Sequence, residues 1–262
     1  MRFTGKTCAV TGAAGGIGLA VARRFALEGA RSVLFDIDAV KVAEAAKTLK
    51  AEGLQAEGRV LDVTDSAAVS VCMHRLAEEG RLDVWVNNAG IYPQRELCEM
   101  TESQWDGLMT VNVKSVWLCT KEAATVMKAQ GGGIILQAAS FASLIGSAGS
   151  GGYAATKSAV LSLTKTFAAE LAPFGIRVCA YIPGVIQTGM TQGVIDRNRA
   201  GLVDGIALRR LGKPDDVAGV VAFLASDDAA YLTGNAIEVS GGKLCVQNPG
   251  YSWALHGVAN PE

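Results

Sequence analysis

Of 262 residues, half are apolar and 19% are charged, which is enough apolar side chain for a substantial core and too little charge for disorder. Net charge is −1, from 24 basic and 25 acidic residues, so the basic surplus of a nucleic-acid binder is missing. Two distant histidines (His74 and His256) and six scattered cysteines without a CxxC pair argue against a zinc or disulfide framework, fit reduced thiols in a cytoplasmic protein, and leave a Ser-His-Asp hydrolase hard to build.

Seven short apolar runs alternate with longer amphipathic stretches. The runs, in chain order, are Thr7–Thr11, Ser32–Asp36, Arg59–Val63, Asp83–Asn87, Gly133–Ala139, Arg177–Ile182 and Ala236–Ser240. They are continuous rather than alternating, which predicts strands buried on both faces. The first helix carries Ile17, Val21 and Phe25 on one face and stops at Gly29; Gly53 and Gly175 are read as further helix stops. Asp38 is read as an N-cap, Thr101 with Gln104 as a capping box, and Pro214-Asp215-Asp216 as a helix start. Residues 7–22 and 129–156 are charge-free, but both are broken by glycines and are read as strands with loops, not membrane spans. Repeated strand–helix–strand units predict one α/β domain over residues 1–243, a doubly wound parallel sheet of seven strands with helices on both faces. Ligands of such sheets bind beyond the carboxyl ends of the strands, so the residues after each strand are the candidates for function.

After the first run comes Thr11-Gly12-Ala13-Ala14-Gly15-Gly16-Ile17-Gly18. Glycines there permit a tight turn, and the helix N-terminus that follows offers free N–H groups to a pyrophosphate. The spacing differs from G-x-G-x-x-G. Asp36, after the second run, suits the two hydroxyls of an adenosine ribose and repels a 2′-phosphate, so NAD is expected over NADP. Asp62 and Val63 follow the third run and Asn87-Asn88-Ala89-Gly90 the fourth; each either contacts an adenine or caps a turn.

Tyr153 and Lys157 are one helical turn apart and share a face with Val160, Leu163, Phe167 and Leu171, read as the inward stripe. A lysine on an inward stripe needs a reason, because an unpaired buried ammonium is costly. A cation about 4 Å from the phenol lowers a tyrosine pKa of about 10 toward neutrality, which makes the pair a candidate general acid/base. Ser140, at the end of the fifth run, is placed to hold a substrate oxygen.

Taken together, Thr11-Gly12-xxx-Gly16-Ile17-Gly18, Asn87-Asn88-Ala89-Gly90, Asn112, Ser140, Tyr153-xxx-Lys157 and Pro183-Gly184-xxx-Thr188 resemble the short-chain dehydrogenase/reductase family over about residues 4–243. The resemblance implies a Rossmann-type fold and a nicotinamide cofactor bound through Gly12, Gly16, Ile17, Gly18, Asp36, Asp62, Val63, Asn88, Ala89, Gly90, Tyr153, Lys157, Pro183, Gly184, Ile186 and Thr188. It implies Tyr153 as the catalytic acid/base, Lys157 lowering its pKa and binding the nicotinamide ribose, Ser140 orienting the substrate, and Asn112 holding a water that links Lys157 to solvent. Ser240-Gly241-Gly242 stands where the family often has Asp-Gly-Gly, and Ser143 where many members have glycine. The expected activity is NAD-dependent interconversion of a secondary alcohol and a ketone. The alternatives are a 3-oxoacyl (acyl carrier protein) reductase-like enzyme and a non-catalytic nucleotide-binding protein. Residues 91–99 (with Tyr92, Gln94 and Arg95), 141–152 and 187–210 are expected to shape the substrate pocket. Their polarity leans toward a sugar, polyol or small hydroxy-ketone, and the third is read as a lid. The expected partner is a small-molecule substrate, with no nucleic acid, membrane or metal. The tail, 244–262, is expected to pack against a neighbouring subunit of a homotetramer or homodimer.

Overall fold

The computed structural model describes residues 1–259 and 261. All seven predicted strands form: β1 (Thr7–Thr11), β2 (Arg31–Asp36), β3 (Ala56–Val60), β4 (Val84–Asn87), β5 (Gly133–Ala138), β6 (Ile176–Pro183) and β7 (Ala236–Val239). They make a single parallel sheet in the order β3-β2-β1-β4-β5-β6-β7. The chain winds outward from β1 to β3, then returns and winds the other way from β4. The order therefore reverses between β1 and β4, and a crevice opens there at the carboxyl ends.

The helices are α1 (Gly16–Leu27), α2 (Ala39–Ala51), α3 (Ser66–Glu78), α4 (Glu102–Met109), α5 (Ser115–Ala129), α6 (Gly151–Leu171), α7 (Gln192–Asp204), α8 (Pro214–Leu224) and α9 (Tyr251–His256). They cover both faces. Cys8 and Val10 of β1, Leu34 of β2 and Val84 and Val86 of β4 face α1, α2 and α8, packing on Val21, Phe25, Leu49 and Val221. Ala9, Val33, Phe35 and Trp85 point the other way onto Met73, Leu76, Leu118 and Met127 of α3 and α5. The period of two along each strand thus feeds two cores, and this is why the central runs are apolar without alternation. The predicted caps are in place. Asp38 accepts from the Lys41 amide, Thr101 and Gln104 close a capping box, Pro214 opens α8, and Gly29 follows α1 with a φ of +94°.

Two details depart from expectation. β3 lies three residues earlier than predicted, over Ala56–Val60 rather than 59–63. It is an edge strand paired only with β2, with Ala56 buried, Val60 exposed and the others between, and Glu57 and Arg59 pair with each other. Leu61 and Val63 are buried in the turn beyond it. On α6 the deep positions are Val160, Thr164, Ala168 and Leu171, while Leu163 and Phe167 are half-buried; the stripe follows 3.6 residues per turn rather than the chosen set. Within the tail, the Trp253 indole donates to the Ala207 carbonyl at 2.9 Å. Among the described residues, no helix is long and apolar enough to cross a membrane.

Candidate active site

The site begins where β1 runs into α1. Gly12 takes a φ of +62°, and a Cβ there would sit 2.8 Å from Ala89 Cα. A Cβ on Gly18 would fall on the carbonyl oxygen of Gly12. Glycine at both positions lets the turn fold back on itself and press against the end of β4. Thr11 and Asn88 fasten the two strand ends. Thr11 Oγ1 accepts from the amides of Asn88 and Ala89 at 3.0 and 3.1 Å. Asn88 Nδ2 donates to the carbonyls of Thr11 and Gly12, and its Oδ1 accepts from the Tyr181 hydroxyl at 3.1 Å. Asn88, a candidate contact, therefore also braces the turn. The N-cap of α1, Gly15, makes no side-chain cap, and no acid lies in the first turn. The amides at this helix end are open to an anion, which fits a pyrophosphate. Gly18→Ala is expected to destabilise the protein by about 1–3 kcal/mol and to weaken dinucleotide binding, as read by denaturant unfolding and by NADH fluorescence.

Asp36 closes the adenosine end. Its carboxylate accepts from the amide of Ala14, in the glycine turn, at 3.0 Å, and from the amide of Asp38 at 3.1 Å. The acid is thus held in one orientation at the mouth of the crevice. Asp62 accepts from the amide and hydroxyl of Thr64 at 2.8 and 2.7 Å.

The reactive end is built on β5 and α6. Ser140 caps the short turn after β5, and its Oγ accepts from the Ala142 amide at 3.2 Å. Tyr153 stands edge-on to the Tyr92 ring, with centroids 4.7 Å apart. Burial pushes the Tyr153 phenol up to about 12, against a hydrogen bond with Ser140 that pulls it down. Lys157 is 4% exposed and donates to the Ala138 carbonyl at 2.7 Å. Burial drives its pKa down to about 8. The ammonium turns to a carbonyl of β5 and lies 5.7 Å from the tyrosine ring centre, so desolvation prevails over attraction. Gly90 leaves bare space beside this lysine; a Cβ there would lie 3.7 Å from Nζ and 3.1 Å from Asn112 Oδ1.

Asn112 sits in a π-turn, residues 110–114, between α4 and α5. Its Oδ1 accepts from the Ile91 amide, and its Nδ2 donates to the Ile91 carbonyl and to Thr156 Oγ1. The side chain thereby ties the loop after β4 to α6 one residue before Lys157.

These groups line one cleft of about 830 Å³ at the carboxyl edge of the sheet. Gly12, Gly16, Ile17, Asp36, Asp62, Val63, Asn88, Ala89, Gly90, Ser140, Tyr153, Lys157, Pro183, Gly184, Ile186 and Thr188 all face it. Of the candidates, Gly18, Asn87 and Asn112 do not line it. Tyr92, Gln94, Phe141, Ser147, Thr191 and Leu202, from the three variable segments, also line it, whereas Arg95 does not. Several lining residues were not foreseen, among them Tyr181 of β6 and Lys243, just beyond β7. The position of Lys243 after a strand end is the signal that pointed to the others.

Known proteins resemble this chain in sequence and fold. A family model described as enoyl-(acyl carrier protein) reductase matches residues 12–243. The 3-oxoacyl-[acyl-carrier-protein] reductase FabG of Thermotoga maritima is 41% identical over 245 residues, which cover 92% of this chain and 99% of that protein. A gluconate 5-dehydrogenase of Burkholderia cenocepacia, solved with NADP and tartrate, superposes with a TM-score of 0.90 at 32% identity, covering 94% of this chain and 98% of that one. A short-chain type dehydrogenase/reductase of Mycobacterium marinum gives the same TM-score of 0.90, identity of 32% and coverage of 94% and 98%.

Proposed function

Because the chain belongs to the short-chain dehydrogenase/reductase family, whose members are NAD(P)-dependent oxidoreductases of CH–OH groups, we propose that it is NAD-linked and interconverts a secondary alcohol and a ketone on a sugar, polyol or small hydroxy-ketone. The observation that carries this reading is the convergence of Ser140, Tyr153 and Lys157 on one cleft. The residues present suit such a cofactor: open amides at α1 would receive the pyrophosphate, Asp36 the adenosine ribose, and the bare edge of Gly90 with Lys157 the second ribose. Pro183, Gly184, Ile186 and Thr188 form the wall for the nicotinamide.

A bound nicotinamide supplies the hydride donor or acceptor; the chain handles the proton. Tyr153 is protonated at neutral pH, so in reduction it is ready to donate to the ketone oxygen, while Ser140 Oγ holds that oxygen. In oxidation the same phenol must first lose its proton, so oxidation is expected to rise with pH. Lys157, charged below about pH 8, favours the phenolate by its positive charge. Asn112 keeps the lysine's helix turn in register with the loop over the cleft.

The preference for NAD rests on Asp36. At about 4 Å and an effective dielectric of about 20, a carboxylate opposes a 2′-phosphate by about 4 kcal/mol, which is on the order of a thousandfold in kcat/KM. Asp36→Asn is expected to raise kcat/KM with NADP by on the order of a hundredfold; an unchanged ratio between the two cofactors would remove Asp36 as the determinant.

The identity to the Thermotoga reductase favours a second reading, a reductase of 3-oxoacyl thioesters. The polar lining (Tyr92, Gln94, Ser147, Ser150) supports the first. Hydride transfer followed by NADH absorbance over sugars, polyols, hydroxy-ketones and acetoacetyl thioesters separates the two. Failure of every alcohol and ketone with folded, NAD-binding protein would sink both.

A further inference from the structure

Four charged side chains line the cleft, and they are sorted by sign. Asp36 and Asp62 follow β2 and β3, at the adenosine end, while Lys157 and Lys243 stand at the reactive end. No carboxylate lines that end. Lys157 is committed to the Ala138 carbonyl, which leaves Lys243.

Lys243 is held by its backbone, whose amide donates to Ser240 Oγ at 3.1 Å. Ser240 Oγ in turn donates to the Glu238 carboxylate, so the nearest acid in sequence is occupied elsewhere. The side chain is half-buried, and its Nζ lies 5.5 Å from the ring centre of Phe141, the residue next to Ser140. On its other side is Gly205, at the end of α7, where a Cβ would come within 3.2 Å of Nζ. Among the described residues it makes no ion pair or hydrogen bond through Nζ. Burial alone moves its pKa, downward, with no neighbouring anion to offset it. Its contact with the Phe141 ring leaves the N–H donors of this half-buried ammonium unsatisfied. Its partner then comes from outside, in the space shared with Ser140 and Tyr153.

We propose that Lys243 anchors the carboxylate of the substrate, which makes the substrate class hydroxy acids and oxo acids rather than neutral polyols or thioesters. The proposal rests on the oxidoreductase reading above and replaces its neutral substrates with ones that carry a carboxylate. The ammonium holds one end of the molecule while Ser140 and Tyr153 address a hydroxyl or carbonyl further along its chain. Phe141 and Gly205 flank the ammonium, excluding water on one side and leaving room on the other.

The test uses matched pairs that differ at one end, gluconate against glucitol and 3-hydroxybutyrate against its methyl ester. Binding to the NADH-loaded enzyme is read by calorimetry and hydride transfer by absorbance. The acid of at least one pair is expected to bind more tightly than its neutral partner by on the order of 10- to 100-fold, the range of a charge-assisted hydrogen bond. Lys243→Met is expected to abolish that preference, and Lys243→Arg to keep most of it. Added salt weakens the acid more than its partner. Equal binding within both pairs, or a preference that survives in Lys243→Met, overturns the proposal. Acids that bind through Lys243 without hydride transfer would count against the oxidoreductase reading and leave the anchor standing. Oxidation of neutral alcohols or reduction of thioesters with no acid preference would do the reverse.

Discussion

Replacing Tyr153 with phenylalanine is expected to lower turnover in both directions by on the order of 10²- to 10⁴-fold, the usual worth of a placed general acid/base. The ring stays packed edge-on against Tyr92, and only the hydroxyl and its hydrogen bond to Ser140 are removed. Fold and cofactor binding are therefore expected to survive, with a stability change of about 1 kcal/mol or less. The pH dependence gives an independent reading. With its phenol pushed up to about 12 from 10, the wild type keeps this group's full stability below pH 10 and loses it as pH rises through 12. Tyr153→Phe lacks that alkaline loss, and it also lacks the rise of oxidation with pH. Turnover within tenfold of the wild type, measured with any substrate the wild type accepts, would show that another group moves the proton.

The parts of this site that were legible in sequence are those where one backbone constraint admits one residue type. Gly12 and Gly18 are fixed by contacts that a Cβ would violate, and Asp36 is fixed by the end of a buried strand beside the glycine turn. Tyr153 and Lys157 are legible because four residues make a helical turn and a lysine on an inward stripe is conspicuous. Edge elements were less legible. β3 has water on much of its surface, so its residues carry no continuous apolar run, and the apolar residues beyond it drew the reading three positions too far. Lys243 was missed for a related reason: a lysine in a glycine-rich loop looks like a solvated charge until the sheet brings β7 next to β6 and the loop arrives over Phe141. The direction of the Lys157 ammonium was not legible, because helical spacing does not specify where a lysine tip points. The carbonyl of Ala138, at the end of β5, captures the ammonium.

Lys157 makes the second large prediction, in which activity and stability move in opposite directions. The ammonium is buried and meets one carbonyl, so below pH 8 the folded protein bears the cost of a desolvated charge. The gap between 10.5 and about 8 corresponds to about 3 kcal/mol. The sign follows from proton binding. Below pH 8 both states hold the proton and the full penalty stands; between 8 and 10.5 only the unfolded state does, so stability rises with pH; above 10.5 the penalty is gone. Lys157→Met removes the charge and also the hydrogen bond to Ala138, which offsets about 1–2 kcal/mol. The variant is thus expected to be more stable than the wild type by about 1–2 kcal/mol at pH 7, with the advantage disappearing as pH rises from 8 to 10.5. Its turnover is expected to fall by on the order of 10²- to 10³-fold, because the phenolate loses its nearest positive charge. A lysine kept only for packing would give the opposite pattern, with Lys157→Met less stable at pH 7 by an amount that does not vary with pH. Denaturant unfolding of both proteins at pH 7 and pH 10 separates the two cases. On the proposed function the buried charge is kept because the reaction needs it, and its cost is measurable in the fold that carries it.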